Sequence, residues 1–304
     1  MMNRWMLLLI SLLALLPLAT AAPAIAANRG PVQVFVSVLP LKYFVERIGG
    51  SHVNTQVMVG PGQSPHTYEP TPRQMTELSR AQIYYRVGVT FEQVWMKRIA
   101  QLNPNMRIVD LRDGIKLRKL EDHQHEGEEE HAPDDHAEEQ YDDSLDPHVW
   151  TSPVLARSMA EQIRATLTAI DPAHAQDYQA GFDSLTADLT ALDTQLRNRL
   201  AGVKHRKFLV FHPAWGYFAD SYGLQQIAVE AAGKEPGPRT MARIIAQARQ
   251  DNIRVIFVQQ QFSRTTAATV ARAINGKVVA LDPLAENYID NLRKAADALA
   301  TALE

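Results

Sequence analysis

Three histidines and one aspartate stand at positions where an α/β protein does its chemistry. In an open sheet of parallel strands, ligands collect just beyond the carboxyl ends of the strands. His66 follows the run Val53–Val59 through Gly60-Pro61-Gly62-Gln63-Ser64-Pro65, and His212 directly follows Lys207–Phe211 and precedes Pro213. Asp282 follows Lys277–Leu281 and also precedes a proline, and His148 lies in Asp146-Pro147-His148-Val149-Trp150 at the mouth of the next helix. Three imidazoles with a carboxylate or a water make a tetrahedral set suited to zinc, whereas manganese favours more oxygen donors. Taken singly, each histidine is more often a capping or solvent-facing residue, and His52, His174 and His205 are read that way. Asp282 reads equally well as the N-cap of the final helix.

A second group of histidines, His123, His125, His131 and His136, lies in an acidic stretch. Imidazoles among carboxylates bind zinc weakly, and the charge attracts cations, so this stretch reads either as a low-affinity zinc collector or as a solvated insertion without effect. Residues 121–143 contain twelve Asp or Glu and no Lys or Arg, which leaves 22 of the 34 acids against 31 bases in the rest of the chain. The body is therefore mildly basic, yet no helix-turn-helix, zinc-finger spacing or aromatic-basic interleaving points to nucleic acid.

The elements that must position these residues alternate. Strands are expected at Val32–Val38, Val53–Val59, Ile83–Val87 and Arg107–Leu111, with helices at Leu41–Ile48, Pro72–Arg80 and Phe91–Ala100 between them. After the acidic segment 119–144, a helix is expected over Pro153–Ile170 and a long one over Pro172–Ala201 with Asp171 as its N-cap. Phe182, Leu185, Leu189, Leu192, Leu196 and Leu200 recur at spacings of three and four, one stripe of a helix about 45 Å long. Alternation resumes with strands at Lys207–Phe211, Leu224–Val229, Val255–Val258 and Lys277–Leu281, and helices at Pro213–Ser221, Thr240–Gln250, Thr265–Ile274 and Leu284–Leu303. The pattern predicts two α/β halves, each a parallel sheet, with a long helix between them that can run along both and join them, and loops from both halves that could converge on one crevice. The fold class expected, once the resemblance below is added, is two such lobes on a rigid helix with the metal site at their interface. The organisation expected is 1–26 as a secretory signal, 27–170 as the N-terminal lobe carrying the loop 119–144, 171–203 as the linker helix and 204–304 as the C-terminal lobe.

The signal segment rests on Arg4, the apolar run Trp5–Leu16, the break at Pro17 and the small residues Ala24-Ile25-Ala26. The run is too short for a permanent membrane span. The chain has no cysteine, so it forms no disulfide, carries no lipidated cysteine, and must bind any metal through nitrogen and oxygen. Length and a hydrophobic fraction of 46% fit about two globular domains.

Four ordered stretches carry a resemblance: Ser64–Pro72, Asp146–Pro153, Phe211–Phe218 and Leu281–Leu284, with the acidic His-rich insertion between the first two. Together they resemble the metal-binding solute receptors of ABC importers, specifically the ZnuA type, over essentially the whole mature chain. The resemblance implies two lobes on a rigid helix, an ion buried between them, and His66, His148 and His212 as ligands. In the manganese-binding branch the third position is usually glutamate, so His212 points to zinc. Asp282 matches the fourth ligand of many relatives, with water as the alternative; the acidic residue that precedes the first histidine in some zinc receptors is here Pro65.

The function expected is a periplasmic receptor, soluble and monomeric, that delivers zinc to an ABC-type permease, with a periplasmic zinc chaperone as a further partner. The alternatives are a manganese or iron receptor and, less favoured, a secreted zinc hydrolase. Against an enzyme stand the absence of a His-Glu-x-x-His pair and the filled fourth position. A surface adhesin is disfavoured by the missing lipid or wall anchor. Since imidazoles bind metal only when deprotonated, affinity is expected to fall through the histidine pH range, and the stiff linker to permit only modest lobe movement.

Overall fold

Short runs of Val, Ile, Phe and Leu become the strands of two parallel sheets. A computed structural model describes residues 30–120, 145–230, 234–262 and 264–304. The expected signal segment 1–26 and the histidines at 123, 125, 131 and 136 lie outside the described residues. The first sheet is built from β1 (Val32–Val38), β2 (Val53–Val59), β3 (Ile83–Arg86) and β4 (Arg107–Asp110), interleaved with α1 (Leu39–Gly49), α2 (Pro72–Leu78) and α3 (Thr90–Leu102). Its strand order is β2-β1-β3-β4. β1 is central and buried almost throughout, which is why it reads as an uninterrupted apolar run rather than an alternating one.

The second sheet repeats the arrangement. β5 (Lys207–Val210), β6 (Gln225–Ala228), β7 (Val255–Val258) and β8 (Lys277–Ala280) take the order β6-β5-β7-β8, with α6 (Gly216–Tyr222), α7 (Pro238–Gln250), α8 (Arg264–Ala273) and a final α9 (Tyr288–Leu303). Every pairing in both sheets is parallel. Each sheet therefore has one edge where all its strands end, and a crevice there at the point where strand order reverses.

Between the sheets in sequence lie α4 (Pro153–Ile170) and α5 (Ala175–Ala201). α5 packs on α1 and α4 and also on α6 and α9. Leu185, Leu189, Leu192, Leu196 and Leu200 are buried along it and Phe182 is partly buried, so the stripe expected from spacing is the face that packs. A buried leucine stabilises by about 1.5–3 kcal/mol relative to an exposed one, so this stripe, rather than helix propensity, holds α5 in place. One main apolar core runs through both halves, from Val34 past Leu189 to Leu299, while a smaller one lies under α7 and α8. Further ties cross between the halves: the Trp150 indole donates to the Pro283 carbonyl at 2.8 Å, the Tyr288 hydroxyl donates to the Trp150 carbonyl at 2.7 Å, and the Phe44 and Tyr288 rings meet edge to face at 4.7 Å.

Three helices start three or four residues later than expected. Pro172–His174 forms a separate 3-10 turn before α5, because the Asp171 carboxylate accepts from His174 Nδ1 and the Tyr178 hydroxyl instead of capping backbone amides. α6 begins at Gly216 rather than Pro213, since the Trp215 amide is taken by the Gln226 side chain. α9 begins at Tyr288 rather than Leu284, because Asp282 Oδ1 accepts from the Leu284 amide and closes a turn ahead of the helix.

Gly181 in α5 allows the end of α1 to approach closely: a Cβ there would lie 2.5 Å from the Ile48 carbonyl oxygen and 2.9 Å from Ile48 Cα. In a free helix Gly→Ala gains roughly 1 kcal/mol. Here the overlap is with backbone, which cannot rotate away, and the balance should reverse to a loss of about 1–3 kcal/mol. Gly181→Ala should therefore melt several degrees below the parent in a thermal scan of metal-free protein; a higher melting temperature would show that the α1–α5 contact is not as tight as described.

Candidate metal centre

The carboxyl edges of the two sheets supply the walls of one cavity of about 290 Å³. His66 reaches it from the loop after β2. Gln63 ties the base of that loop, its side-chain carbonyl accepting from the Gly60 amide at 2.7 Å, and the Phe91 amide donates to the Pro65 carbonyl at 3.2 Å, locking the loop to α3. His212 stands two residues beyond β5, where the Phe211 amide is still held by the Phe257 carbonyl at 2.8 Å. His148 enters from the turn before α4, with the Thr151 hydroxyl donating to its carbonyl at 2.9 Å. His148 and His212 are buried and His66 is partly so.

The three imidazoles meet through their Nε2 atoms. His66 Nε2 lies 3.4 Å from His212 Nε2, and His212 Nε2 lies 3.3 Å from His148 Nε2. Two nitrogen donors about 2.0–2.1 Å from one zinc ion at the tetrahedral angle are about 3.3–3.4 Å apart, so both contacts have the length of a coordination edge. Among the described residues no group of three or more His, Cys, Asp or Glu is arranged as a ready-made metal cage. What the structure holds is a chain of two such edges hinged at His212.

The other ring nitrogens decide what faces what. His212 Nδ1 is paired with the buried Glu230 carboxylate, and His148 Nδ1 donates to Asp146 Oδ1 at 2.7 Å. A carboxylate at Nδ1 fixes the proton there and leaves Nε2 as a bare lone pair. His212 and His148 thus direct two lone pairs at one another at 3.3 Å in a buried place. His66 Nδ1 lies 2.9 Å from the Thr90 hydroxyl, which can donate or accept, so this ring can either give a proton to His212 Nε2 or present a third lone pair. Phe262 stacks on His212 at 5.0 Å between ring centres and Trp150 lies against His148 at 5.2 Å, so the rings have little freedom to turn.

These surroundings oppose protonation of His66 and His212. Burial is the main cause that lowers the pKa of His66 to about 3, with repulsion from His212 and His148 adding to it. Burial lowers His212 as well, against the opposing pull of Glu230. Proton competition at His66 is therefore displaced below the ordinary histidine range that the sequence alone suggests.

Asp282 lies close by but faces other partners. Its Oδ1 accepts from the Leu284 amide at 2.9 Å and its Oδ2 from Gln260 Nε2 at 3.3 Å, and burial raises its pKa. Pro283 and Leu284 line the cavity, whereas Asp282 is not among its lining residues. Four residues of the site escaped sequence reasoning: Glu230, Asp146, Thr90 and Phe262. Glu230 had a legible signal, since it stands just past β6 at the same sheet edge as His212. The other three touch their histidines only through the fold or a local turn.

Fold and site define a two-lobed α/β protein with an imidazole-lined cleft between parallel sheets. The chain belongs to the ZnuA family, zinc-uptake complex component A, periplasmic, which it matches over residues 34–302. It is 26% identical over 288 residues to the high-affinity zinc uptake system protein ZnuA of Bacillus subtilis, covering 90% of this chain and 88% of that one. It is 27% identical over 310 residues to the zinc-binding lipoprotein AdcA of Streptococcus pneumoniae, where the match covers 98% of this chain and 60% of AdcA, so the chain spans only part of that longer relative. Among solved structures, a ZnuA deletion mutant with zinc bound superposes with a TM-score of 0.81 at 34% identity, covering 90% of this chain and 98% of that one.

An unfolded histidine titrates near 6.5, whereas His66 in the fold titrates near 3. A folded-state pKa below the unfolded one leaves stability intact above pH 6.5 and erodes it as pH falls towards 3, and the lowered pKa of His212 acts in the same direction. Metal-free protein should lose thermal stability steadily between pH 6.5 and 4, and His66→Asn should flatten that slope. An unchanged slope in the variant would contradict the assigned burial of His66.

Proposed function

We propose that this chain is the receptor of a zinc importer: it captures Zn²⁺ between its lobes and hands it to an ABC-type permease in the inner membrane. The observation that carries the reading is the His212–His148 contact, two lone pairs held 3.3 Å apart by carboxylates behind each ring. A divalent cation converts that repulsion into two bonds. His66, His148 and His212 are the proposed ligands, and a small closing movement of the outer two rings about His212 completes one face of a tetrahedron. Asp282 is the proposed fourth donor, for which Gln260 must release it; a water takes the position otherwise. Three nitrogen donors favour zinc over manganese or iron. The family match and the likeness to a zinc-bound ZnuA structure support the same ion.

The lobes are proposed as 27–170 and 204–304, with 171–203 as a linker that limits their movement. The protein is proposed to act free in the periplasm as a monomer after loss of residues 1–26, in exchange with a periplasmic zinc chaperone. The acidic stretch with His123, His125, His131 and His136 is proposed as a weak auxiliary collector. A receptor, rather than a hydrolase, is the reading that the family match and the zinc-uptake relatives support.

Competition titration with a chromogenic chelator tests this. Wild type should bind one zinc tightly and manganese far more weakly; His212→Ala should lose at least a hundredfold in affinity, and deletion of residues 121–143 should leave the tight site in place. Weak zinc binding by wild type, or loss of the tight site in the deletion but not in His212→Ala, would overturn the assignment.

A further inference from the structure

Between the two lobes, behind His148 and away from the cavity, an arginine from the first lobe lies on a glycine of the second. Arg118 follows β4, and its chain runs beside the turn that carries His148: the Asp146 amide donates to the Arg118 carbonyl at 2.9 Å. From the other side α6 grips the same pair of residues. The Tyr217 hydroxyl accepts from the Arg118 amide at 3.0 Å and donates to the Asp146 carbonyl at 2.9 Å. The guanidinium then spans the lobes, with Nη1 3.3 Å from Asp146 Oδ2 and Nε 3.1 Å from Asp220 Oδ2. It can do so only because residue 216 has no side chain: a Cβ there would lie 1.6 Å from Arg118 Nη1 and 2.9 Å from Asp146 Oδ2.

Asp146 divides its carboxylate between two tasks. Oδ2 faces Arg118, and Oδ1 accepts from both the Nδ1 and the backbone amide of His148, at 2.7 and 2.9 Å. A carboxylate that holds one imidazole can swing about its own bond unless its second oxygen is also held. Arg118 supplies that second hold, and its own position depends on α6 of the opposite lobe. A path of direct contacts therefore runs from Gly216, Tyr217 and Asp220 through Arg118 and Asp146 to His148.

On the reading that the three imidazoles hold zinc, we infer that Arg118 is a positioning residue that makes retention of the ion depend on the closed contact between the lobes. While α6 holds Arg118, Asp146 keeps His148 in the tautomer whose Nε2 faces the ion. When the lobes part at this contact, Arg118 loses Asp220 and Tyr217, its guanidinium is no longer held against Asp146, His148 loosens, and zinc leaves before any ligand has been pulled away by force. Partners beyond the metal's own ligands commonly change metal affinity by about 10–100-fold. A transporter that parts the lobes at α6 would thus speed release through this path.

Arg118→Met and Gly216→Ala test the inference with complementary changes. The first removes the charge; the second keeps every charge and only displaces the guanidinium. Zinc-loaded protein is mixed with excess chelator, and the dissociation rate is read alongside the melting temperature of the metal-free form and the ¹⁵N chemical shifts of the His148 ring. Both variants should release zinc about 10–100 times faster than wild type. The His148 Nδ1–H signal of the metal-free form should weaken or exchange, and Arg118→Lys should recover part of the rate. Unchanged dissociation and unchanged His148 signals in folded Arg118→Met would overturn the proposal, as would faster release in which the His148 ring is unaffected. If wild type itself fails to hold zinc tightly, it is the zinc reading that fails; the His148 ring signals, read without metal, still decide whether Arg118 positions it.

Discussion

Two imidazole lone pairs directed at each other across 3.3 Å are the constraint around which this molecule is arranged. Left in water the two rings would turn apart or take up a proton. Here both are opposed, the second at His212. Phe262 and Trp150 hold the rings in place, Glu230 and Asp146 fix their protons on the far side, and burial opposes protonation of His212. The buried carboxylates supply negative charge behind the donors, which suits a doubly charged ion and raises the basicity of the rings that would bind it. On the zinc reading, a cation between these donors would turn their mutual repulsion into bonding.

The duplicated topology explains how residues so far apart in sequence reach one point. Each sheet places its first strand second in the order, and the order of its parallel strands reverses beside it, so each has a crevice at the same carboxyl edge. The two edges face one another, with α5 packed on helices of both halves and the main apolar core running through it. His66 and Thr90 come from the first edge, His212 and Glu230 from the second, and His148 from the turn before α4. Rigidity at the site is then a property of the whole interface, because the hydrogen bonds of Trp150, Tyr217 and Tyr288 tie the turn around His148 to the opposite half.

Much of this was legible in the sequence, and the rest failed for identifiable reasons. β-branched runs located the strands to within one or two residues, since parallel strands buried on both faces leave a plain apolar signal. The leucine stripe located α5 for the same reason. Helix starts were less legible where a side chain intercepts the backbone: Asp171 binds His174 and Tyr178, and Asp282 binds the Leu284 amide, so neither caps the helix that follows. At the site, looking beyond strand ends singled out His66, His212 and Asp282, and the mouth of the next helix singled out His148; the three histidines line the cavity, whereas Asp282 faces the Leu284 amide and Gln260. The same criterion applied at the exit of β6 would have found Glu230. Thr90 is 24 residues from the histidine it touches, and no local pattern announces such a contact.

The central claim is that three imidazoles converge on one ion, and X-ray absorption at the zinc edge of protein loaded with one equivalent tests it most directly. The account predicts a first shell of about four nitrogen or oxygen donors near 2.0 Å, with the outer-shell scattering of three imidazole rings, and loss of one ring in His212→Ala. A shell dominated by oxygen, with one imidazole or none, would contradict it and place the ion elsewhere in the molecule.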